Sequence, residues 1–283
     1  MKRPVNRRTG DRIDGRLINN LTATDKYVPF FNRSSDGCAN MYDDTIYIGD
    51  TMNWVRDHAL DEFSGLNLLH VVIAAYVRTV ATMPAINRFV SGQRIYARND
   101  ISVIITAARK ESDRRAARFI KVSFEPTDTI YDVYRRVSGA VQAIRTGAVP
   151  SNALPFSEGM LKLPRPAIQV AFWGLRVLDY FGKLPKHILF NSGVHGSVSI
   201  SALSVHGGQP TYISLGDFGN LPMTLSISTS RSQGNDFMNL RSVYDSRIAD
   251  VNYFTEAFAC MKEFVRNPAV LEGNPDKQFE DMF

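Results

Sequence analysis

The chain has 283 residues, of which 44% are hydrophobic and 22% are charged. This composition excludes a disordered, a collagen-like and a disulfide-scaffold protein, because it supplies enough apolar side chains for a full core and only two cysteines. The formal net charge is +5. Much of the cationic excess lies in residues 1–16, so we predict a basic N-terminal arm over residues 1–20 and a single domain over residues 21–283. No nucleic-acid-binding motif accompanies the basic run, and we expect no nucleic-acid partner.

Cys38 and Cys260 are too few and too distant for a disulfide framework, and the HExxH and CxxC metal patterns are missing. We therefore expect reduced thiols, no bound metal and a cytoplasmic location. The basic start of the chain is not followed by the apolar stretch that a secretory signal would have. The longest apolar segment, Leu68 to Val77, is about half the length that spans a bilayer, so we expect no membrane partner.

The first half of the chain predicts one buried helix and then strands. Residues 66–81 are apolar nearly all round, which is typical of a buried helix, with Asn67 or Ser64 as its cap. Its only histidine, His70, is interpreted as a buried structural residue. Residues 94–110 are rich in β-branched side chains and predict two strands, and residues 119–125 predict another.

The second half predicts helix, helix, strands and helix. Thr127 or Asp128 caps a helix whose apolar positions recur every three or four residues. Residues 164–183 form an aromatic helix with few cations, which we interpret as docked on the core or over a pocket rather than lying in a membrane interface. Strands are predicted over residues 197–203, 223–228 and 237–244. A final helix carries one apolar stripe, made of Phe254, Phe258, Met261 and Val265. The order of elements predicts an α/β fold with a large mixed β-sheet and helices packed on it.

The strand that ends at Tyr244 runs into the sequence DSRIADV, residues 245–251, and then into the last helix. This succession resembles the chloramphenicol acetyltransferase-like superfamily and the acyltransferase core of the 2-oxo acid dehydrogenase complexes. In those proteins a D-H-R-x-x-D-G or H-H-x-x-x-D-G motif ends a strand and opens the last helix. Residues 12–21, 66–110, 197–207 and 219–228 are similar to the same superfamily in order and spacing. The resemblance spans about residues 12–272.

The resemblance implies three candidate catalytic residues. Ser246 lies where the family has the histidine that takes a proton from the acceptor, and a serine hydroxyl is not basic near neutral pH. Asp250 matches the motif aspartate, which implies a structural ion pair, with Arg16 or Arg247 as its partner. Ser201, in the sequence Ile200 to Leu203, matches the strand hydroxyl that donates to the oxyanion of the tetrahedral intermediate, a role that contributes roughly 3 kcal/mol. Val251 replaces the motif glycine.

Two functions remain open. The first is acyl-coenzyme A-dependent transfer to a thiol or hydroxyl acceptor, by a homotrimer with a degenerate motif and no covalently bound cofactor. A replacement base would have to be Asp245, His195 or His206. The alternative is a non-enzymatic ligand-binding or trimeric assembly protein derived from an acyltransferase. The sequence identifies no coenzyme-binding residue.

Overall fold

A computed structural model describes residues 8–107, 118–146, 162–202, 209–275 and 278–281. Within them lie nine strands and seven helices longer than one turn. The strands are β1 (Gly15–Leu17), β2 (Ala39–Tyr47), β3 (Arg88–Ser91), β4 (Arg94–Arg98), β5 (Ile101–Ala107), β6 (Arg118–Phe124), β7 (Val198–Ala202), β8 (Met223–Ser232) and β9 (Asn235–Asp245). The helices are α1 (Ala23–Phe31), α2 (Gly49–His58), α3 (Leu68–Thr82), α4 (Ile130–Arg145), α5 (Arg165–Tyr180), α6 (Lys186–Asn191) and α7 (Val251–Arg266).

Six strands form one mixed sheet in the order β2-β9-β8-β7-β5-β6. Strand β7 runs parallel to both of its neighbours, β5 and β8, and the remaining pairs are antiparallel. A separate antiparallel sheet has the order β1-β4-β3. Its β3–β4 hairpin turns at Gly92 and Gln93, both with positive φ, as a two-residue hairpin turn of type I′ requires. The predicted large mixed sheet is confirmed, whereas β1, β2 and β3 escaped prediction.

Helices cover one face of the large sheet, as predicted. Helix α3 is buried over almost its whole length, and Asn67 caps it by accepting a hydrogen bond from the amide of Leu69. His70 closes the same cap from within the helix, and burial lowers the pKa of its imidazole to about 4. The predicted stripe of α7 is buried against the sheet, where the Phe258 ring stacks on Tyr42 at a centroid distance of 4.2 Å.

The opposite face of the sheet is rich in hydroxyl side chains. Five of them are buried, namely Ser102, Ser201, Thr224, Ser226 and Ser228. The segment after residue 208 lies over part of this face and takes up some of the hydroxyls: Thr224 Oγ1 donates to the Ile213 carbonyl, and Ser226 Oγ accepts from the Thr211 amide. Alternation along the strands thus gives the sheet one apolar face and one polar face.

The N-terminal part of the described chain belongs to the domain. Arg12 is only 4% exposed and donates to the carboxylates of Asp14 and Asp179 and to the hydroxyl of Ser91. The guanidinium therefore ties the entry to β1, the β3–β4 hairpin and the end of α5 together. The arm over residues 1–20 was predicted from charge alone, and Arg12 is one of its cations that the fold buries. Residues 1–7 lie outside the described part.

Helix α5 docks on the domain through one side only. None of its residues is buried, although Phe172 meets Phe218 edge to face at 6.1 Å and Leu175 packs against the small cluster of Leu184, Ile188 and Leu189. Apolar residues on a helix can face solvent as well as a core, and periodicity alone cannot tell which side is covered.

In the described ranges, no helix has the length and apolar character needed to cross a membrane.

His195 lies just before β7 and is 1% exposed. Its Nδ1 is 2.5 Å from the Ser192 hydroxyl, and its Nε2 lies 4.0 Å from Asp179 Oδ1 without a hydrogen-bond partner among the described residues. Burial lowers the pKa of the imidazole to about 3, because the site penalises its charged form.

This burial makes stability depend on pH. The folded-state pKa of His195 lies below the ordinary value of 6.5, so the unfolded chain binds the proton more readily, and the contribution to stability present above pH 6.5 is lost as pH falls toward 3. Between pH 6.5 and 5 the loss from this residue amounts to about 2 kcal/mol in the free energy of unfolding. Urea titrations at the two pH values measure it. His195→Asn should flatten the dependence, whereas His187→Gln, at an exposed position, should leave it intact. An unchanged slope in a folded His195→Asn protein would contradict this account.

Candidate functional site

The junction between β9 and α7 is built around a buried ion pair. Asp245 ends β9, and Arg247 two residues later binds its carboxylate through two nitrogens, with Nε at 2.8 Å from Oδ1 and Nη2 at 2.6 Å from Oδ2. Both side chains are less than 5% exposed. A guanidinium and a carboxylate in this two-point geometry hold the turn after β9 in one conformation.

Arg247 also fixes the chain segment that follows α1. Its nitrogens donate to the carbonyls of Asn32 and Arg33 and to the hydroxyl of Ser35. Burial alone would lower the pKa of the guanidinium, but the hydrogen bonds and charge of Asp245 outweigh it, so the pKa is raised above its ordinary value. Arg247 is therefore a permanent structural cation.

Ser246, in the position of the family's histidine, is bound to the backbone. Its hydroxyl donates to the carbonyl of Cys38 at 2.8 Å, and its amide donates to the same oxygen at 3.0 Å. The nearby Cys38 thiol has its pKa raised by burial, so it is not a ready nucleophile. The hydroxyl proton of Ser246 is therefore already committed to this backbone carbonyl.

Asp250 is exposed and caps α7, with its Oδ1 accepting from the amide of Tyr253 at 2.7 Å. Of the two predicted partners of Asp250, Arg247 is instead held by Asp245, and the Asp250 carboxylate caps the helix. Val251 begins the helix with ordinary backbone, since the positive-φ residues other than glycine in the described chain are Gln93 and Gln233. Replacement of the motif glycine causes no strain here.

Ser201 lies near the end of β7, on the polar face of the sheet, and is 7% exposed. Its strand neighbours in register are Thr106 of β5 and Ser226 of β8. Ser226 in turn pairs with Arg241 of β9, which pairs with Asp43 of β2. A row of polar side chains thus crosses five strands of the sheet and ends in a cation beside a carboxylate.

One chain does not bring Ser201 and Ser246 together. The register places Ser201 level with Arg241, and Asp245 lies four residues further along β9, which is about 13 Å at strand spacing. Two strand spacings of about 5 Å each add to the separation. The predicted oxyanion donor and the residue in the family's base position are therefore roughly 16 Å apart along the sheet.

A small cavity of about 110 Å³ opens at the Asp43 and Arg241 end of this row. Arg241 forms part of the cavity wall. It donates to the Pro210 carbonyl at 2.6 Å and lies 5.3 Å from the centre of the Tyr212 ring. Pockets that take small organic ligands typically measure roughly 300–1,000 Å³. The cavity has room for a few water molecules and is too small for an acyl thioester.

Of the replacement bases suggested by the sequence, the two that the structure describes, His195 and Asp245, do not reach Ser201. His195 lies at the opposite end of β7 from Ser201, buried among Ser192, Asp179 and Phe218. Asp245 is consumed by its ion pair with Arg247. His206 falls outside the described residues. Among the described residues, no cluster of three or more potential metal ligands occurs.

Sequence reasoning missed two features of the site. It did not pair Asp245 with Arg247, although a carboxylate two residues before an arginine in a turn was a usable signal. It also missed Arg241 and Asp43, because the register that aligns them with Ser201 depends on β2, whose strand was not predicted.

The two aspartates of the motif should differ in their effect on stability. Asp245→Asn breaks a buried ion pair and should lower the free energy of unfolding by about 3–5 kcal/mol. Asp250→Ala removes a helix cap and should cost about 0.5–2 kcal/mol. Urea denaturation of the two variants measures both values. Equal losses, or a larger loss for Asp250→Ala, would mean that the junction is held differently.

Ser246→Ala should have a small effect. It removes one hydroxyl hydrogen bond to the Cys38 carbonyl, worth about 0.5–1.5 kcal/mol, while the Ser246 amide keeps its own bond to that oxygen. Any acyl transfer should change by less than about tenfold, since no base is lost. Initial rates of thiol release, with Ser201→Ala for comparison, test this. A hundredfold loss in Ser246→Ala at unchanged stability would assign that hydroxyl a catalytic role.

Comparisons with known proteins agree with this architecture at the level of the fold. No family model and no curated protein matches the chain. Among solved structures, a probable dihydrolipoamide acetyltransferase from Listeria monocytogenes superposes with a TM-score of 0.55 at 13% identity, covering 91% of this chain and 95% of that one. A chloramphenicol acetyltransferase has a TM-score of 0.55 at 12% identity, covering 89% of this chain and 99% of that one.

A third similar structure is the dihydrolipoamide acetyltransferase of Azotobacter vinelandii, with a TM-score of 0.50 at 13% identity and coverage of 90% of this chain and 94% of that one. A serine, a histidine and an asparagine have been investigated for their role in the catalytic mechanism of that enzyme. The chain has the chloramphenicol acetyltransferase-like fold, which it shares with the catalytic cores of the 2-oxo acid dehydrogenase complexes.

Proposed function

We propose that the protein is a homotrimer of the acyltransferase fold that binds an acyl thioester, such as acyl-coenzyme A, between subunits and does not transfer the acyl group through its own motif. The single observation that carries the proposal is Ser246. Its hydroxyl stands in the base position and donates to a backbone carbonyl, so it has no imidazole-like capacity to accept a proton from an acceptor thiol or hydroxyl.

The trimer is supported by the separation of the two half-sites. Ser201 and Ser246 are roughly 16 Å apart in one chain, so only a neighbouring copy can place a Ser246 opposite a Ser201. If each copy contacts the next head to tail around a ring, every subunit places its Ser246 opposite the Ser201 of a neighbour. Beyond a dimer, the smallest ring of this kind has three copies. A channel between copies would also supply the enclosed volume that the small cavity of one chain lacks.

The retained Ser201 supports a thioester as ligand. Its buried hydroxyl on the polar face is the kind of donor that binds a carbonyl oxygen, whether or not that oxygen becomes an oxyanion. The same donor site is compatible with transfer to a thiol or hydroxyl acceptor, so transfer that uses another base is the competing function. The two cysteines are free, which supports the expectation of a reducing, cytoplasmic compartment.

Assembly is tested first by light scattering. The trimer should give a mass about three times 31.7 kDa over a wide concentration range. Isothermal titration with acetyl-coenzyme A and with coenzyme A then tests the ligand, and we expect the thioester to bind and no thiol to be released. A monomer, or a trimer without affinity for any coenzyme A thioester, would refute the proposal.

Restoring the base should create the missing chemistry. Ser246→His together with Val251→Gly rebuilds the family motif, and a positioned base contributes about 10²- to 10⁴-fold to proton-transfer catalysis. The matched control is Ser246→Gln with Val251→Gly, which has a similar volume and no basic nitrogen. We expect thiol release at least about a hundredfold above the control. If the wild-type protein turns over thioesters as fast as the histidine variant, it is an enzyme with another base.

A further inference from the structure

The outward side of α5 and its flanks, residues 162–187, carry an unusual pairing of exposed aromatic and cationic side chains. Val170 and Trp173 are 67% and 66% exposed, and Phe181, directly after the helix, is 67% exposed. At 3.6 residues per turn, Val170 and Trp173 point away from Phe172, Leu175 and Asp179, which face the protein. We call the outward residues 162–187 the α5 surface.

The charge of the α5 surface is one-sided. Five exposed cations lie on it, and they are Lys162, Arg165, Arg176, Lys183 and Lys186. The single carboxylate of the segment, Asp179, is 14% exposed and is bound by Arg12. None of the five cations forms an ion pair with a carboxylate of the described residues. The surface therefore presents a net positive charge around an exposed tryptophan.

The exposed aromatic residues of helix α1 lack this charge pattern. Helix α1 also exposes aromatic rings, with Phe31 at 83% and Tyr27 at 62%. Its only cation, Lys26, is matched by its only carboxylate, Asp25. Charge complementarity therefore selects an anionic partner for α5 and gives no such indication for α1.

We propose that the α5 surface binds an anionic phospholipid bilayer, with Trp173 and Val170 in the headgroup region. An amphipathic helix with aromatic residues on one side and flanking Lys and Arg lies in the plane of such an interface, and each basic residue near an anionic leaflet adds to the affinity. The Arg12 to Asp179 ion pair anchors the inner side of the helix, so the helix remains attached to the domain while its outer side meets lipid. This inference is independent of thioester binding.

Vesicle sedimentation of the full-length protein tests the proposal. The two lipid compositions are phosphatidylcholine alone and phosphatidylcholine with about 30% phosphatidylserine, at about 50 mM salt and again at about 500 mM, where screening is stronger. We expect binding to the anionic vesicles only, weakened by salt. Arg165→Gln with Arg176→Gln should weaken it by about tenfold or more, and Val170→Ser with Trp173→Ser should abolish it. The matched control, Tyr27→Ser with Phe31→Ser on α1, should bind as the wild type does.

Trp173 also reports directly. The chain has two tryptophans, so Trp54→Phe leaves Trp173 as the only fluorophore of its kind, and its emission should shift to the blue on anionic vesicles. Circular dichroism checks that every variant is folded. Absence of binding to anionic vesicles, or binding that both α5 double variants retain, would overturn the proposal. A third result would also overturn it: the wild type does not bind vesicles, and Val170→Ser with Trp173→Ser lowers the oligomer mass. The α5 surface would then be a contact between copies of the chain.

Discussion

The guanidinium of Arg12 joins the entry to β1, the β3–β4 hairpin and the end of α5 through one buried group. It lies beside the stacked rings of Phe89 and Tyr96, at 5.6 and 5.8 Å from their centres, and binds the carboxylates of Asp14 and Asp179. A buried arginine is costly unless its hydrogen bonds are satisfied, and removal of such a cation leaves two carboxylates without compensation. The small sheet, α5 and the loop that carries His195 all take their positions relative to this one group.

The large sheet imposes the second constraint, because one of its faces belongs to the apolar core and the other carries the polar side chains of the candidate site. The apolar face, with Ile200 and Leu225, packs against α3 and α7. The other face presents the hydroxyls of Ser201 and Ser226, one strand apart. Since a strand sends alternate side chains to opposite faces, a serine in the candidate site and an isoleucine in the core are adjacent in sequence at positions 201 and 200. The polar row thus follows directly from the packing of the core.

Much of the fold could be predicted from the sequence because its helices and inner strands have strong periodicity. The buried α3 and the stripe of α7 are examples, and the caps Asn67 and Asp250 follow the usual preference for short polar residues at helix starts. Strand β2 could not be found this way, because it is an edge strand whose exposed side chains include Met41 and Asp43. The environment of α5 was also beyond prediction, since the same apolar periodicity fits a helix that faces a core and one that faces outward.

The candidate site was predictable only as a set of positions. The motif located Ser246 and Ser201 by resemblance, but their separation depends on strand register, which no local pattern encodes. The partner of Arg247 was misassigned for a related reason. A cation in a tight turn can reach carboxylates on either side, and only the direction of the chain after β9 decides that Asp245 is the nearer one.

The hydrogen bond between Ser246 and Cys38 joins residues that are 208 positions apart in sequence. It lies at the end of the β2–β9 pairing, which makes one edge of the sheet from the first and last long strands of the chain. During synthesis on the ribosome, β2 therefore stays unpaired with β9 until nearly the whole chain has emerged. Contacts this distant slow folding and lengthen the time for which an unpaired strand can associate with other chains. The exposed Asp43 gives the unpaired β2 strand a negative charge. Charged side chains on edge strands are one way in which proteins prevent association between strand edges.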